Sequence, residues 1–277
     1  MRQLQDMTVV ITGASAGIGE ALARLLAARG ARLVLAARRG EKLEALNAQL
    51  GGGHVVVACD VASEADCRRL VDTAARLGRI DTFVANAGYG LYRTVDATTP
   101  QQVRELFATN VFGTTDCCGF AAAVMARQDP RDRFRGQLMI VSSAAARRGV
   151  PYLGIYSGTK AAQLAIAEAM RVELRPRRIA VTSVHPVMTT TDFGRVAETG
   201  GVTLPRGGTF VAQTVAHVAK RMAAAIAHPT AEVWPHRGSR LLLGFGTLMP
   251  RVIDRGLARY RDKVDRANAG PPPAGKA

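Results

Sequence analysis

Short runs of apolar and β-branched residues recur along residues 1–235, and longer stretches with helical periodicity separate them. The first run, at 7–11, is followed by a glycine-rich turn and then by an alanine- and leucine-rich stretch at 20–29. Similar runs stand at 31–36, 54–59, 82–85, 137–141 and 180–184. Apolar strands that alternate with helices predict an α/β fold in which a parallel sheet lies buried between helices.

The turn after the first strand contains three glycines, Gly13, Gly17 and Gly19, with the spacing Gly-x-x-x-Gly-x-Gly. Gly13 permits a tight turn, Gly17 lets backbone amides approach a pyrophosphate, and Gly19 allows the helix to pack closely on the sheet. The amino end of the helix favours an anion. This order of strand, turn and helix predicts a dinucleotide site; the alternative interpretation is a plain glycine turn.

The end of the second strand indicates which dinucleotide is bound. An enzyme that prefers NAD places an acidic residue about 20 positions beyond the glycines, where it holds the ribose hydroxyls. That position here is Ala37, followed by Arg38 and Arg39. A guanidinium binds phosphate through paired donors, and Ser15 can add a hydroxyl. We therefore predict NADP(H); alternatively, both arginines belong to a generally basic surface.

Tyr156 and Lys160 are the candidate catalytic pair. They are four positions apart in a predicted helix, so their side chains lie on one face. A phenol with an ordinary pKa of ~10 is a weak acid–base catalyst at neutral pH, but a nearby positive charge favours its anion. We therefore interpret the pair as a proton donor with an electrostatic partner. The alternative, if the pair is considered alone, is that both residues lie on a solvated helix face.

Five motifs in one order give the chain a resemblance to the short-chain dehydrogenase/reductase family. The motifs are Thr12-Gly13-x-x-x-Gly17-x-Gly19, Asn86-Ala87-Gly88, Asn110, Ser143 and Tyr156-x-x-x-Lys160. The resemblance covers residues 8–191. It implies a single-domain Rossmann fold, which is a doubly wound parallel sheet with strand order 3-2-1-4-5-6-7 and helices on both faces.

The resemblance also implies a role for each catalytic residue. Ser143 would hold the substrate oxygen, with Ser142 as the local competitor. Asn110 would hold a water that links Lys160 to solvent, unless it only packs its helix. Lys160 would lower the pKa of Tyr156 and hydrogen-bond the nicotinamide ribose. The expected reaction is reduction of a carbonyl by NADPH with Tyr156 as the proton donor, or the reverse oxidation.

Cofactor contacts are expected along one edge of the sheet. Asp60 and Val61 resemble the pair that borders adenine, and the loop after the sixth strand has Val187 where the family commonly has glycine after the proline. The predicted cofactor-binding residues are Gly13, Ser15, Gly17, Ile18, Gly19, Arg38, Arg39, Asp60, Val61, Asn86, Ala87, Gly88, Tyr156, Lys160, Pro186, Thr189 and Thr191.

Substrate contacts are expected from residues 89–93, from 144–153, and from a glycine-rich segment at 192–208 that can close as a lid. These segments mix apolar, aromatic and arginine side chains, which favours a lipophilic ketone or aldehyde. His185 is a further candidate base, but a structural role is favoured. Two alternative functions stay open: an NAD-preferring alcohol dehydrogenase and a non-catalytic NADP(H)-sensing regulator.

Composition narrows the class of protein. With 277 residues, of which 48% are hydrophobic, the chain fits one large α/β domain. The four cysteines have neither Cys-x-x-Cys spacing nor a histidine partner pattern, which argues against a metal site and a disulfide framework. We expect thiols buried in a reducing cytoplasm, and no cleaved secretion signal.

The formal net charge of +15 is spread along the chain, and aromatic residues make up only 5%, so nucleic-acid binding is not expected. Residues 1–235 are assigned to the Rossmann-fold domain, 236–266 to an apolar and basic extension that is expected to be helical, and 267–277 to a disordered tail. We expect the extension to pack in a homo-oligomer, a dimer or tetramer. The alternatives are the enzyme's own flank and a peripheral membrane contact.

Overall fold

The computed structural model describes residues 2–189, 197, 201–203 and 213–269, apart from the side chains of Arg237 and Thr247. Seven strands of the described chain pair in parallel in the order β3-β2-β1-β4-β5-β6-β7. The predicted fold class and strand order are therefore confirmed. The strands are β1 (Thr8–Thr12), β2 (Arg32–Ala37), β3 (Val55–Ala58), β4 (Thr82–Ala85), β5 (Gly136–Val141), β6 (Ile179–Val184) and β7 (Glu232–Val233).

Helices connect the strands and cover both faces of the sheet. A π-helical turn at Ala108–Phe112 joins α4 to α5, and short 3-10 turns lie at Ala144–Ala146 and Arg175–Arg177. The helices are α1 (Gly17–Ala27), α2 (Gly40–Gln49), α3 (Glu64–Ala75), α4 (Pro100–Phe107), α5 (Gly113–Met125), α6 (Gly154–Glu173), α7 (Val215–Ala227), α8 (Arg237–Leu248) and α9 (Pro250–Asn268).

Two apolar cores sandwich the sheet. Leu22 and Leu26 of α1 pack with Met222 of α7 on one face, while Leu70 of α3 and Met125 of α5 lie in the core on the other. All five residues of β1 and all four of β4 are buried, because each of these central strands has helices on both sides. This burial explains why the strands read as continuous apolar runs rather than as alternating patterns.

The carboxyl ends of β1 and β4 meet where the strand order reverses, which is where open α/β sheets bind ligands. Thr12, the last residue of β1, ties the two ends together. Its hydroxyl accepts hydrogen bonds from the backbone N–H groups of Asn86 and Ala87, both at 3.0 Å, and donates to the carbonyl of Val84 at 3.3 Å. The turn after β4 is thereby fixed against the glycine turn after β1.

The C-terminal extension consists of α8 and α9, and α9 folds back onto the enzyme. Its side chains Tyr260 and Val264 are buried in a third apolar cluster with Tyr92 and Ala197. Of the three expected settings for this segment, contact with the enzyme's own flank is thus observed for these two residues. Within the described ranges, none of the helices combines the length and the apolar composition needed to cross a bilayer.

Three sequence predictions fall partly or wholly outside the described residues. Thr191 is one of them. Most of the expected lid at 192–208 is another, and residues 270–277 of the expected tail are the third.

Candidate active site

The glycine turn has the geometry that a dinucleotide needs. Gly13 and Gly17 have φ values of +67° and +61°, which are unfavourable for residues with a Cβ. A Cβ added to Gly19 would lie 2.4 Å from the carbonyl oxygen of Gly13, so α1 can approach β1 only with glycine at this position. Ala16 caps α1 without a side-chain hydrogen bond, so no capping side chain occupies the amino end of the helix. These features fit a bound pyrophosphate.

The edge beyond β2, which we call the cofactor rim, consists of Ser15, Arg38 and Arg39. Both arginines are exposed, and Arg39 Nη2 donates to the Ser15 hydroxyl at 3.2 Å. Ala37, at the end of β2, offers no carboxylate. A hydroxyl and two guanidinium groups at one rim form a donor set for phosphate oxygens.

The predicted adenine pair lies on the loop after β3. Asp60 Oδ1 accepts from the backbone N–H of Ala62 at 3.0 Å, which shapes the loop. Val61 is buried and lies against Gly113 of α5, where an added Cβ would come within 2.3 Å of the Val61 carbonyl oxygen. The loop is therefore held in place from the α5 side.

Tyr156 and Ser143 share a hydrogen bond between their side chains. Tyr156 is buried in the first turns of α6, and Ser143 follows the end of β5. The hydroxyl of the neighbouring Ser142 instead donates to the backbone carbonyl of Lys160 at 2.8 Å. The structure thus brings Ser143, and not its competitor Ser142, to the phenol.

Lys160 lies one turn after Tyr156 on the same face of α6. Its Nζ is 5.6 Å from the centre of the Tyr156 ring and donates to the carbonyl of Val141 at 2.9 Å and to Gln163 Oε1 at 2.8 Å. Burial lowers the pKa of Lys160 to about 7. Burial also raises the pKa of Tyr156, and the hydrogen bond between Tyr156 and Ser143 opposes this shift.

This result corrects one expectation. The sequence predicted that the Lys160 charge would lower the pKa of Tyr156, but in the structure desolvation of the phenol dominates and the pKa moves upward. The physical reason is that both groups are buried, so each loses hydration that favours its charged form. Ser143 is the group that favours the phenolate.

Asn110 lies in the π-helical turn, fully buried. Its side chain exchanges two hydrogen bonds of 3.0 Å with the backbone of Tyr89 and donates to Thr159 Oγ1, also at 3.0 Å. Its own backbone carbonyl accepts from Gln163 Nε2 at 2.6 Å and from Thr114 Oγ1 at 2.8 Å. Asn110 therefore reaches Lys160 through Gln163.

The sequence interpretation missed Gln163. The available signal was its position three residues after Lys160, one turn along the same helix face, in a stretch that is otherwise mainly alanine. Gly88 also packs against Asn110 and Lys160. A Cβ added at Gly88 would lie 3.0 Å from Asn110 Oδ1 and 3.5 Å from Lys160 Nζ.

The comparison with known proteins decides the family. A family model described as "short chain dehydrogenase" matches residues 7–200. The chain belongs to the short-chain dehydrogenase/reductase family. Membership makes it an oxidoreductase that acts on CH–OH or C=O groups, with a nucleotide-binding Rossmann fold, and supports a nicotinamide cofactor.

Individual relatives agree with this assignment. "Uncharacterized oxidoreductase YxnA" of Bacillus subtilis (strain 168) is 31% identical over 261 residues, which cover 92% of this chain and 72% of that protein. "11-beta-hydroxysteroid dehydrogenase-like 3" of Arabidopsis thaliana is 36% identical over 193 residues, or 67% of this chain and 60% of the plant protein. A short-chain dehydrogenase from Sphingobium yanoikuyae, solved in complex with NADPH, is 26% identical, has a TM-score of 0.73, and is matched over 90% of this chain and 96% of its own.

The loop after β6 differs from the common short-chain dehydrogenase/reductase pattern at Val187, yet it is anchored to the site. The carbonyl of Pro186 accepts from the backbone N–H of Ala144 at 2.9 Å and from the Ser143 hydroxyl at 3.5 Å. Thr189 Oγ1 donates to the Val187 carbonyl at 2.9 Å. The loop therefore supports the backbone that carries Ser143.

His185 has a structural setting. Its ring is buried, stacks on Trp234 with 4.4 Å between ring centres, and lies 3.0 Å from the Ser183 hydroxyl. Burial lowers its pKa to about 4, so it is neutral at neutral pH. Within the part of the chain that the structure describes, no group of three or more His, Cys, Asp or Glu side chains is placed to hold a metal ion.

Described residues of the predicted substrate segments pack together in an apolar and aromatic cluster. Tyr92 is buried close enough to Tyr156 to raise the pKa of that phenol further. The third apolar cluster, formed by Tyr92, Val150, Tyr152, Leu153, Ala197, Val202, Tyr260 and Val264, adjoins it. The backbone N–H of Arg93 donates to the carbonyl of Tyr152 at 2.8 Å, which joins two of the predicted substrate segments.

Proposed function

We propose that the protein is an NADPH-dependent reductase of lipophilic ketones or aldehydes, and that it also catalyses the reverse oxidation. The hydrogen-bonded pair of Tyr156 and Ser143 carries this proposal. Ser143 follows β5, the neighbour of β4, and the strand order reverses between β4 and β1, where the glycine turn fits a dinucleotide. An apolar cluster that includes Tyr92 adjoins the pair, because Tyr92 is close enough to Tyr156 to raise the pKa of that phenol.

Each residue of the pair has one task in the proposed reduction. NADPH, when bound, supplies the hydride. Ser143 holds the carbonyl oxygen, and Tyr156 gives its proton to that oxygen as negative charge develops there. Because burial raises the pKa of Tyr156, the phenol carries its proton at neutral pH, which is the form that a reduction consumes.

The choice of NADPH rests on the cofactor rim. Solved structures of similar fold are complexes with NAD as well as with NADPH, so fold alone leaves the choice open. At the rim, Arg39 already pairs with the Ser15 hydroxyl, and Arg38 is exposed next to it. A 2′-phosphate between these groups would gain charge-assisted hydrogen bonds that NAD cannot make.

The decisive experiment is a screen of ketones and aldehydes with NADPH consumption as the readout, run on the wild type and on Tyr156→Phe. We expect turnover in the wild type and a loss of ~10² to 10⁴ in the variant, the usual contribution of a positioned acid. NADPH binding, followed by fluorescence, should be similar in both. Equal background rates in the two proteins would contradict the proposal that the protein is a reductase and would favour a cofactor-sensing regulator. Tighter binding of NADH than of NADPH would contradict the proposed preference for NADPH.

We also propose that α8 carries the contact surface of a homo-oligomer. Six large apolar side chains, four in α8, Met249 between the two helices and one at the start of α9, are 45–80% exposed. The four in α8 recur with helical spacing along one face. We call this face the α8 stripe. It is formed by Leu241, Leu242, Phe245, Leu248, Met249 and Val252. A contiguous exposed stripe of this kind is typical of an interaction surface.

Light scattering would test the oligomer with Leu242→Glu, and with Val172→Glu on α6 as a control at another exposed apolar residue. We expect the wild type and the control to share one mass and Leu242→Glu to have a smaller one. A wild-type monomer that floats with anionic vesicles, and loses flotation in Leu242→Glu, would instead identify a peripheral membrane contact.

The four free cysteines are buried, and we propose a reducing cytoplasm as the location.

A further inference from the structure

The side-chain amide of Gln163 occupies the link between Lys160 and Asn110. Gln163 Oε1 accepts from Lys160 Nζ at 2.8 Å, and its Nε2 donates to the Asn110 carbonyl at 2.6 Å. Nε2 also donates to Thr114 Oγ1 at 2.8 Å. All four residues are buried. The two groups that a relay water would bridge are therefore bridged directly by one amide.

We propose that Gln163 is a positioning residue that fixes the Lys160 ammonium and takes the place of the relay water expected at Asn110. This inference rests on the proposed function, because Lys160 matters only if Tyr156 transfers a proton. The amide differs from water in one chemical respect. Water accepts and releases protons freely, whereas a carboxamide in this hydrogen-bonded arrangement offers only an acceptor to Lys160 and a donor to Asn110.

The hydrogen-bond count around Asn110 supports the substitution. Its carbonyl has two lone pairs, and both are engaged, one by Gln163 and one by Thr114. Its side-chain nitrogen donates twice, to Tyr89 and to Thr159. The carbonyl of Asn110 therefore has no free lone pair with which to hold a water, and the described geometry passes from Lys160 to Asn110 through Gln163 alone.

Gln163 must then influence the protonation of Lys160. The groups around this ammonium are the Val141 carbonyl from β5, the Gln163 amide, and the rings of Tyr156 and, beyond it, Tyr92. Burial is the cause that moves the Lys160 pKa, and no charged side chain of the described residues contributes to it. The Gln163 oxygen, 2.8 Å from Lys160 Nζ, is one of the acceptors that the structure gives the ammonium, so replacing it should move the pKa of Lys160 in a direction set by the new side chain.

Two substitutions at one position give opposite expectations. Gln163→Met keeps the length but removes the acceptor, so the pKa of Lys160 should fall by about one pH unit. Gln163→Glu places a carboxylate beside the ammonium, so the pKa should rise by about one unit or more. The measurement is an NMR titration of protein labelled with ¹³C at lysine Cε, with Lys160 assigned by its loss in Lys160→Met.

The titration does not depend on turnover, so it separates this inference from the proposed function. If the protein reduces carbonyls, the pH profile of kcat should move with the Lys160 pKa in both variants. Gln137→Met is the matched control: Gln137 is equally buried and donates to Thr182 at 2.9 Å, but it lies in β5 away from the site. It should lower the denaturation midpoint without moving the Lys160 pKa. An unchanged Lys160 pKa in both Gln163 variants, or shifts of the same sign, would overturn the role given to Gln163.

Discussion

The polar groups in the interior of the active site are buried and hydrogen-bonded, whereas those at the cofactor rim are exposed. In the interior, Asn110, Lys160 and Gln163 are buried, and each is hydrogen-bonded to groups from other elements. At the rim, Arg38 and Arg39 are exposed, and Arg39 donates to the hydroxyl of Ser15. A buried polar group that loses its partner costs far more free energy than an exposed one. We therefore expect interior changes to alter fold and activity together, and rim changes to alter only the choice of cofactor.

The largest expected effect on stability comes from His185, which is buried beside the loop that supports Ser143. Its pKa is about 4 in the folded protein and ~6.5 when unfolded, so between these values the unfolded chain binds more protons. The stability that His185 confers is fully present above pH ~6.5 and is lost as the pH falls towards 4, by up to about 3 kcal/mol.

Urea denaturation of the wild type and of His185→Phe at pH 7 and pH 4.5 would measure this loss. The variant should lose less stability between the two pH values than the wild type. His228→Asn, which changes an exposed histidine, should behave like the wild type. An equal loss in all three proteins would show that His185 does not carry the pH dependence.

A smaller effect is expected at the junction of interior and rim, at Gly19. In Gly19→Ala the new Cβ meets the Gly13 carbonyl oxygen at 2.4 Å and Asn86 Nδ2 at 2.7 Å, so the turn must shift. We expect a loss of about 2 kcal/mol in the free energy of unfolding, together with weaker NADPH binding.

Gly119→Ala is the matched control for this change, because Gly119 is an exposed residue of α5 with open space where the Cβ would point. It should leave cofactor binding intact and should not destabilise the protein, since alanine favours a helix over glycine. Unchanged stability and unchanged NADPH affinity in Gly19→Ala would show that the close contact of α1 with the turn is not needed.

The smallest effect should be at the rim. Arg39→Glu replaces a phosphate-binding cation with an anion, and NADPH affinity should fall by about 10-fold or more, while NADH affinity stays within about threefold. Fluorescence titration with both cofactors measures this, and Arg32→Glu at the exposed start of β2 controls for the change in net charge. Equal losses for NADPH in both variants would remove the specific role of Arg39. The denaturation midpoint of Arg39→Glu should match that of the wild type.

The difference between the two regions also explains which features the sequence could predict. The strands and the glycine turn were predictable because burial on both faces and positive φ values restrict the residue types directly. The pairing of Tyr156 with Lys160 followed from local helix spacing.

What remained unpredictable depends on contacts between distant residues. Gln163 meets the Asn110 carbonyl across 53 positions of sequence, and α9 brings Tyr260 back to the cluster around Tyr92. The upward pKa shift of Tyr156 arises from burial by these elements, which local spacing does not reveal. The sequence pattern therefore indicated the chemical groups, and the tertiary packing determined their protonation.

A double-mutant cycle on turnover would test most directly whether Tyr156 and Ser143 act as one unit. Wild type, Ser143→Ala, Tyr156→Phe and the double variant would be compared on one carbonyl substrate with NADPH. We predict that Tyr156→Phe lowers kcat/KM by ~10² to 10⁴ and Ser143→Ala by ~10² to 10³. The double variant should lie within ~10-fold of the worse single one, because residues of one unit are strongly non-additive. Full activity in Tyr156→Phe, or losses that multiply in the double variant, would contradict the joint role of the pair.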